Sequence, residues 1–297
     1  MTADQLVAKN LEARGGAAKL AALRSMRLTG KLVLGAGERQ IQAAWAQVQK
    51  RPGMIRTETT LQGLTQVETY DGKDAWTLDP FEGRRDAQRD SADDARIRAR
   101  EADIEGPLVN WREKGHRVEY MGTEDVDGTP AHKLRVNLKD GDTQYVFLDP
   151  DYFLEIRIET ISHVRGTERI SEADLGSYEQ VDGIWMPFSI EAGAKGRPRG
   201  ARLTIERAEA NVDVDDAIFR FPPAGTPIGR AVVAGPVPAG AAAAQVSTPP
   251  RSAAGTAAPR FDSATLSGLG ARNIGSATMS GRIAAVAARN EGGKTTL

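Results

Sequence analysis

From Met26 onward the chain alternates apolar and polar residues with a period of two, in about a dozen short segments. The segments run over 26–34, 39–49, 54–61, 65–70 and 75–79, then 116–123, 131–138, 143–149, 153–161, 167–178, 184–192 and 201–211. Between the early ones stand Gly35-Ala36-Gly37, Pro52-Gly53, Gly63 and Asp71-Gly72, residues that turn a chain sharply. The alternation is clear in places. Leu134, Val136 and Leu138 oppose Lys133, Arg135 and Asn137; Leu154, Ile156 and Ile158 oppose Glu155, Arg157 and Glu159; Ile184, Met186, Phe188 and Ile190 form a further apolar row. One-sided strands joined by short turns predict an antiparallel sheet with one buried, concave face. A dozen strands in series must curl or close rather than lie flat.

Helical signals lie at two places. Thr2 and Gln5 have capping-box spacing, Leu6, Val7 and Leu11 share a helical face, and Gly15-Gly16 supplies a stop. A second short helix through Leu20 and Leu23 completes residues 1–24. Residues 86–105 carry no β-branched run and read as one or two polar helices able to cover the open side of the sheet. Arg84, Arg85, Arg89, Arg96, Arg98 and Arg100 interleave there with Asp86, Asp90, Asp93 and Asp94, which predicts a solvated helix with (i, i+4) ion pairs. Residues 225–259 are rich in Ala, Pro and Gly, with Arg230 and Arg251 as the charges, and read as a disordered linker. Residues 260–297 read as a tail too small to fold alone. The expected division is therefore a β domain over 1–224, the linker, and the tail as the start of a further domain.

Charge and composition exclude several classes of function. The 39 basic and 40 acidic residues leave a net charge of −1, which argues against a nucleic-acid footprint and against charge-driven membrane binding. With no cysteine there is no disulfide framework, thiolate zinc site or Cys nucleophile. No apolar run reaches the roughly 18 residues of a membrane span. Met1 to Leu11 is not an apolar signal, so the expectation is a cytoplasmic chain or a mature periplasmic or secreted one. His116, His132 and His163 lack metal-ligand spacing, and Asp140-Gly141-Asp142 and Asp149-Pro150-Asp151 read as turns rather than calcium loops. Glu291-Gly292-Gly293-Lys294-Thr295 mimics the end of a phosphate loop but lacks its first glycine. No motif pairs two carboxylates and no Ser sits in a nucleophile elbow, so no catalysis, metal or cofactor is expected.

Certain motifs carry a family resemblance over about residues 5–225. Lys50-Arg51-Pro52 follows a strand containing Trp45; Asp71-Gly72-Lys73, Trp76 and Asp79-Pro80-Phe81 form a central hairpin; Gly183-Ile184-Trp185-Met186-Pro187 opens a later strand. Asp215-Asp216-Ala217, Phe219, Phe221-Pro222-Pro223 and Gly225 close the domain. In order and spacing these resemble the LolA-like carriers, the periplasmic lipoprotein-localisation proteins. The resemblance implies a mainly β fold with some α: an unclosed antiparallel half-barrel with an N-terminal helix and a helical lid over an apolar cavity. It also implies that Arg51 holds the lid. The expected ligand-binding residues are Trp45, Arg51, Trp76, Leu134, Val136, Leu138, Leu154, Ile156, Ile158, Trp185 and Phe188. The expected partner is a lipid or acylated lipoprotein, as in outer-membrane lipoprotein sorting and transport, with envelope proteins as further partners. In the tail, Leu269, Arg272-Asn273-Ile274-Gly275 and Ser280-Gly281-Arg282 resemble the lead-in of a sortilin-like or neuraminidase-repeat β-propeller. That second resemblance implies the alternative, an accessory or partner-binding domain ahead of a propeller hydrolase or receptor.

Overall fold

The computed structural model describes residues 1–35, 40–84, 86–223 and Val233, together with short strand ladders between 273 and 296. The stretch read as a linker and most of the tail lie outside the described residues. Val233 is an exception inside that stretch: it is buried against the sheet, and its N–H donates to Glu58 at 3.0 Å.

Helix α1 (Ala3–Ala13) starts on the expected capping box: Thr2 Oγ1 accepts from Gln5 N–H, and Gln5 Oε1 accepts from Thr2 N–H. Leu6, Val7 and Asn10 form its buried side. Helix α2 (Ala17–Ala22) buries Leu20. Thirteen strands follow as one antiparallel sheet: β1 (Ser25–Leu34), β2 (Ile41–Lys50), β3 (Met54–Leu61), β4 (Leu64–Tyr70), β5 (Ala75–Leu78), β6 (Gln88–Arg89), β7 (Arg117–Val126), β8 (Thr129–Asn137), β9 (Thr143–Leu148), β10 (Glu155–Val164), β11 (Thr167–Val181), β12 (Ile184–Ala194) and β13 (Ala201–Ala210). Twelve of these match the segments of alternating residues to within a few positions. The two-residue β6 is too short to show a period.

The order across the sheet is β6-β5-β4-β3-β2-β1-β13-β12-β11-β10-β9-β8-β7, unclosed at β6 and β7. The chain begins at the centre, meanders out to β6, and must then reach the opposite edge before returning strand by strand. Helix α3 (Ala92–Glu101) and the segment after it make that crossing. The connection therefore passes over the mouth of the curled sheet, and a lid follows from the topology. Gly30 eases the curl at the centre. The register with β13 shifts between Thr29 and Gly30, and a Cβ at Gly30 would lie 2.1 Å from the Thr204 carbonyl oxygen.

Helices α1, α2 and α3 pack on one face of the sheet, the inner one. The outer face of β2–β5 is covered by residues 212–223, a strap after β13. Val214 and Phe219 pack on Ala46, Val48 and Met54, and Trp76 donates from Nε1 to the Phe219 carbonyl at 2.9 Å. Strands β3 and β4 are thus buried on both faces, which is why their alternation is blurred by Thr57, Glu58, Gln66 and Glu68. The β7 edge carries exposed Arg117, Glu119, Glu124 and Asp125, charges that discourage pairing with another chain.

Candidate ligand site: the inner face and its lid

The register assigns each strand residue to a face. Leu32 pairs Leu203 and Ala43, Gly30 pairs Trp45, and Ile190 pairs Leu203 and Leu175, so these share the inner face. With Leu28, Phe188, Ile184 and Ile205 they form an apolar floor over β11–β13, β1 and β2. Leu20 and Leu23 from the α2 end of the chain close on it. A second apolar floor covers β7–β9. Leu134 pairs Val146, His132 pairs Leu148, and both pairs sit under Leu6 and Val7 of α1.

Two consecutive residues join the floors. Leu108 is buried in the second cluster and Val109 in the first, with Ile104 packed beside Val109's group. The segment after α3 therefore fills the inner face with the chain's own apolar side chains. Helix α3 is different in character, since its buried residues are Ile97 and Arg98. Its attachment is largely ionic. Arg98 meets Glu68 of β4 and holds Asp90 from Nε at 2.8 Å, while Arg96 and Arg100 reach Asp142 beside β9 at 2.6 and 2.7 Å. Arg96 also donates to the His163 carbonyl of β10 at 2.8 Å. The arginines thus tie α3 to both walls of the mouth. Burial lowers the pKa of Arg98, but Glu68, Glu101 and Asp90 outweigh it and raise the net value. This corrects the expectation of a solvated helix held by its own ion pairs: Arg96 does lie 3.9 Å from Asp93 within α3, but the shorter contacts of its arginines run to Glu68, Asp90 and Asp142 outside the helix.

Arg51 holds the segment after α3. Its Nε donates to the Leu23 carbonyl at 2.6 Å, and its Nη2 donates to the Leu20 carbonyl at 3.1 Å and to the Glu105 carboxylate. Lys114 binds Asp103 at 2.7 Å and lies 3.2 Å from Glu105. Burial would raise the pKa of Glu105, but the Arg51 and Lys114 bonds together hold it below the usual carboxylate value. For Asp103 burial prevails over Lys114, and its pKa is raised. Arg51 is therefore a three-way tie between the end of α2, the lid segment and the strand it terminates.

Two solved structures share this arrangement of strands. A LolA superfamily protein from Nitrosomonas europaea aligns with a TM-score of 0.52 at 16% identity, over 74% of this chain and 98% of that one. A DUF1329 family protein from Desulfovibrio piger gives 0.50 at 14% identity, over 73% and 97%. The fold is LolA-like. No protein-family model and no curated protein matches the chain by sequence.

Within the LolA-like frame the residues expected at the site separate. Trp45, Leu134, Val136, Ile158 and Phe188 lie on the inner face, Leu138 packs into the floor under α1, and Arg51 stands at its rim. Trp76 belongs to the outer face, under the C-terminal strap with Phe221 edge-on at 6.2 Å. Trp185 alternates with the inner Ile184, also faces outward, and is 38% exposed. The apolar row of β10 is split by a bulge between Glu155 and Arg157. Ile156 packs beside Val126, Ala131 and Phe147, Leu154 precedes the strand half-buried, and Glu155 and Glu159 are buried. Glu155 accepts from Tyr178 and Glu159 from Lys195. Sequence reasoning missed the polar sector of the inner face beneath α3: Gln47 with Thr57, Gln66 with Asp79, Gln144 with Thr160, and Glu68 with Arg98. The signal for it was present in the polar residues of β3 and β4 that broke the alternation.

Proposed function

We propose that the chain is a carrier or holder of an acyl-bearing ligand in a bacterial envelope, of the lipoprotein-sorting kind, and that it works by binding without catalysis. One observation carries this reading. The apolar inner face is covered by a crossing segment that plugs it with Leu108 and Val109 and is tied down by ions. An acyl chain supplies the same apolar contacts that these two side chains make, at roughly 0.8 kcal/mol per buried CH₂. The ionic ties of α3 cost little to exchange for water when both partners are hydrated together, because the desolvation cost of a buried ion pair offsets most of its Coulombic gain. The lid can therefore leave while the apolar helices α1 and α2 stay. Trp45, Leu134, Val136, Leu138, Ile158 and Phe188 are the proposed contacts, with Arg51 as the latch. The LolA-like fold of the two solved structures supports the reading.

The test is energy transfer from tryptophan to a pyrene-labelled dodecanol. Saturable transfer that drops in Trp45→Phe is expected. Arg51→Leu is expected to speed uptake about ten- to a hundredfold, since a charged hydrogen-bonded latch is worth roughly 1.5–3 kcal/mol. No saturable transfer to folded protein would defeat the reading and favour a partner-binding accessory domain.

A further inference from the structure

We infer that the ligand carries an anionic oxygen group, a carboxylate or a phosphate, which Arg51 binds in the place that the lid's own Glu105 occupies in the closed chain. This rests on the carrier reading and adds the chemistry of the headgroup. The segment after α3 is itself built like an anionic amphiphile. Leu108 and Val109 fill the two apolar floors, and three residues before Leu108 the Glu105 carboxylate meets Arg51. The Glu105 side chain is 4% exposed, so the closed chain already accommodates an oxyanion under cover at this point. An acyl chain that takes over the contacts of Leu108 and Val109 displaces the segment, and with it Glu105.

The charges divide unequally when the segment leaves. Lys114 travels with it. Its Nζ bonds Asp103 at 2.7 Å and the Gly106 carbonyl at 2.9 Å, and lies 3.2 Å from Glu105, so the departing carboxylates keep a cation. Arg51 stays with the sheet and α2. Its backbone N–H donates to the Arg24 carbonyl at 2.9 Å, its Nε to the Leu23 carbonyl at 2.6 Å and its Nη2 to the Leu20 carbonyl at 3.1 Å. These bonds keep the guanidinium aimed but bring no charge, so the carboxylate that leaves is the one that neutralised it. Leu20 and Leu23 also place their side chains in the apolar cluster that holds Val109. The cation therefore stands at the border of the apolar floor, where the polar end of a bound amphiphile comes to rest. A carboxylate or phosphate restores the charge-assisted bond there, an alcohol offers a neutral one, and an ammonium is repelled. Arg14, the C-cap of α1, completes the place. It donates from Nη1 to the Glu105 carbonyl at 2.9 Å and lies 3.6 Å from Glu155, so it is charge-compensated and suits a neutral oxygen such as an ester carbonyl.

The experiment titrates the full chain at pH 7 with dodecanoate, dodecyl phosphate, dodecanol and dodecylamine, four probes of one chain length, by competition against the pyrene-labelled dodecanol. At least one of the two anions is expected to bind about tenfold tighter than dodecanol, the effect of one charge-assisted contact, and the tighter of them identifies the group. Dodecylamine should bind most weakly. In Arg51→Gln the preference for the anion should shrink to parity while dodecanol still binds; a latch that never touches the ligand would shift all four probes alike. In Glu105→Gln every probe should bind tighter with the preference kept, because the competing carboxylate is gone and Arg51 remains. Equal affinity of the anions and the alcohol for the unaltered chain, tightest binding of dodecylamine, or a preference that survives Arg51→Gln overturns the headgroup assignment and leaves the carrier reading standing. Failure of all four probes overturns both.

Discussion

Arg98→Met is expected to free α3 from the sheet while leaving the sheet folded. Methionine keeps most of the length of the side chain and removes the cation between Glu68 and Asp90, whose side chains are 2% and 6% exposed. Removing one partner of a buried pair costs about 3–5 kcal/mol, because the other charge remains without it. In a core helix that loss would reach the whole domain. Here α3 can leave its site and let water reach Glu68, so the cost appears as local opening. Hydrogen exchange should therefore rise in residues 92–101 by two orders of magnitude or more, while protection in β8–β12 stays near that of the unaltered chain. A fall in the global melting temperature with no preferential exchange in α3 would make the helix part of the core and remove the lid from the account.

Val136→Glu is expected to unfold the half of the domain beneath α1, which goes further than blocking a ligand. Val136 is fully buried on the inner face, in one cluster with Leu6, Leu108 and Leu134. A carboxyl introduced there would stay protonated well above pH 7, so forcing it into the folded state costs about 4 kcal/mol at that pH relative to an ordinary glutamate. The sign follows from linkage. The unfolded chain releases the proton more readily than the folded one, so the penalty is small near pH 4 and grows as pH rises toward 7. Thermal unfolding at pH 5 and pH 7 reads it: the variant should be much closer to the unaltered chain at pH 5. Equal stability at pH 7 would mean that the side chain points outward and that the register of β8 with β9 is shifted by one residue.

Much of this architecture is visible in the residues because an antiparallel strand with one wet face writes its period directly into the sequence. The strands around Leu134, Val136 and Leu138 are such a case. Where the sheet is covered on both sides the period fails, and β3 and β4 show why. Arg56 and Glu58 face the C-terminal strap while Thr57 and Glu68 face α3, so polar residues are buried on both sides. The bulge in β10 defeats the pattern in another way. One extra residue sends Ile156 to the outer face, and nothing in Leu154-Glu155-Ile156-Arg157-Ile158 marks where the shift falls. Trp76 and Trp185 were misplaced because an aromatic fits a buried outer face or an exposed rim as well as a cavity. The α3 arginines look solvated in sequence since a helix rich in Arg and Asp reads alike whether its partners are its own neighbours or a distant wall. The resemblance of Lys50-Arg51-Pro52 to the family motif implied that Arg51 holds the lid, whereas its partners Leu20, Leu23 and Glu105 depend on how α2 and the lid segment pack.

The central claim is that the inner face exchanges its own Leu108 and Val109 for an acyl chain. Native mass spectrometry of the full chain, purified from a bacterial envelope fraction, tests it most directly. The account predicts a one-to-one adduct whose mass fits an acyl-bearing amphiphile, released on gentle activation and rebound from lipid extract. A bare chain that stays bare after incubation with that extract, while its hydrogen exchange shows α3 opening normally, would contradict it.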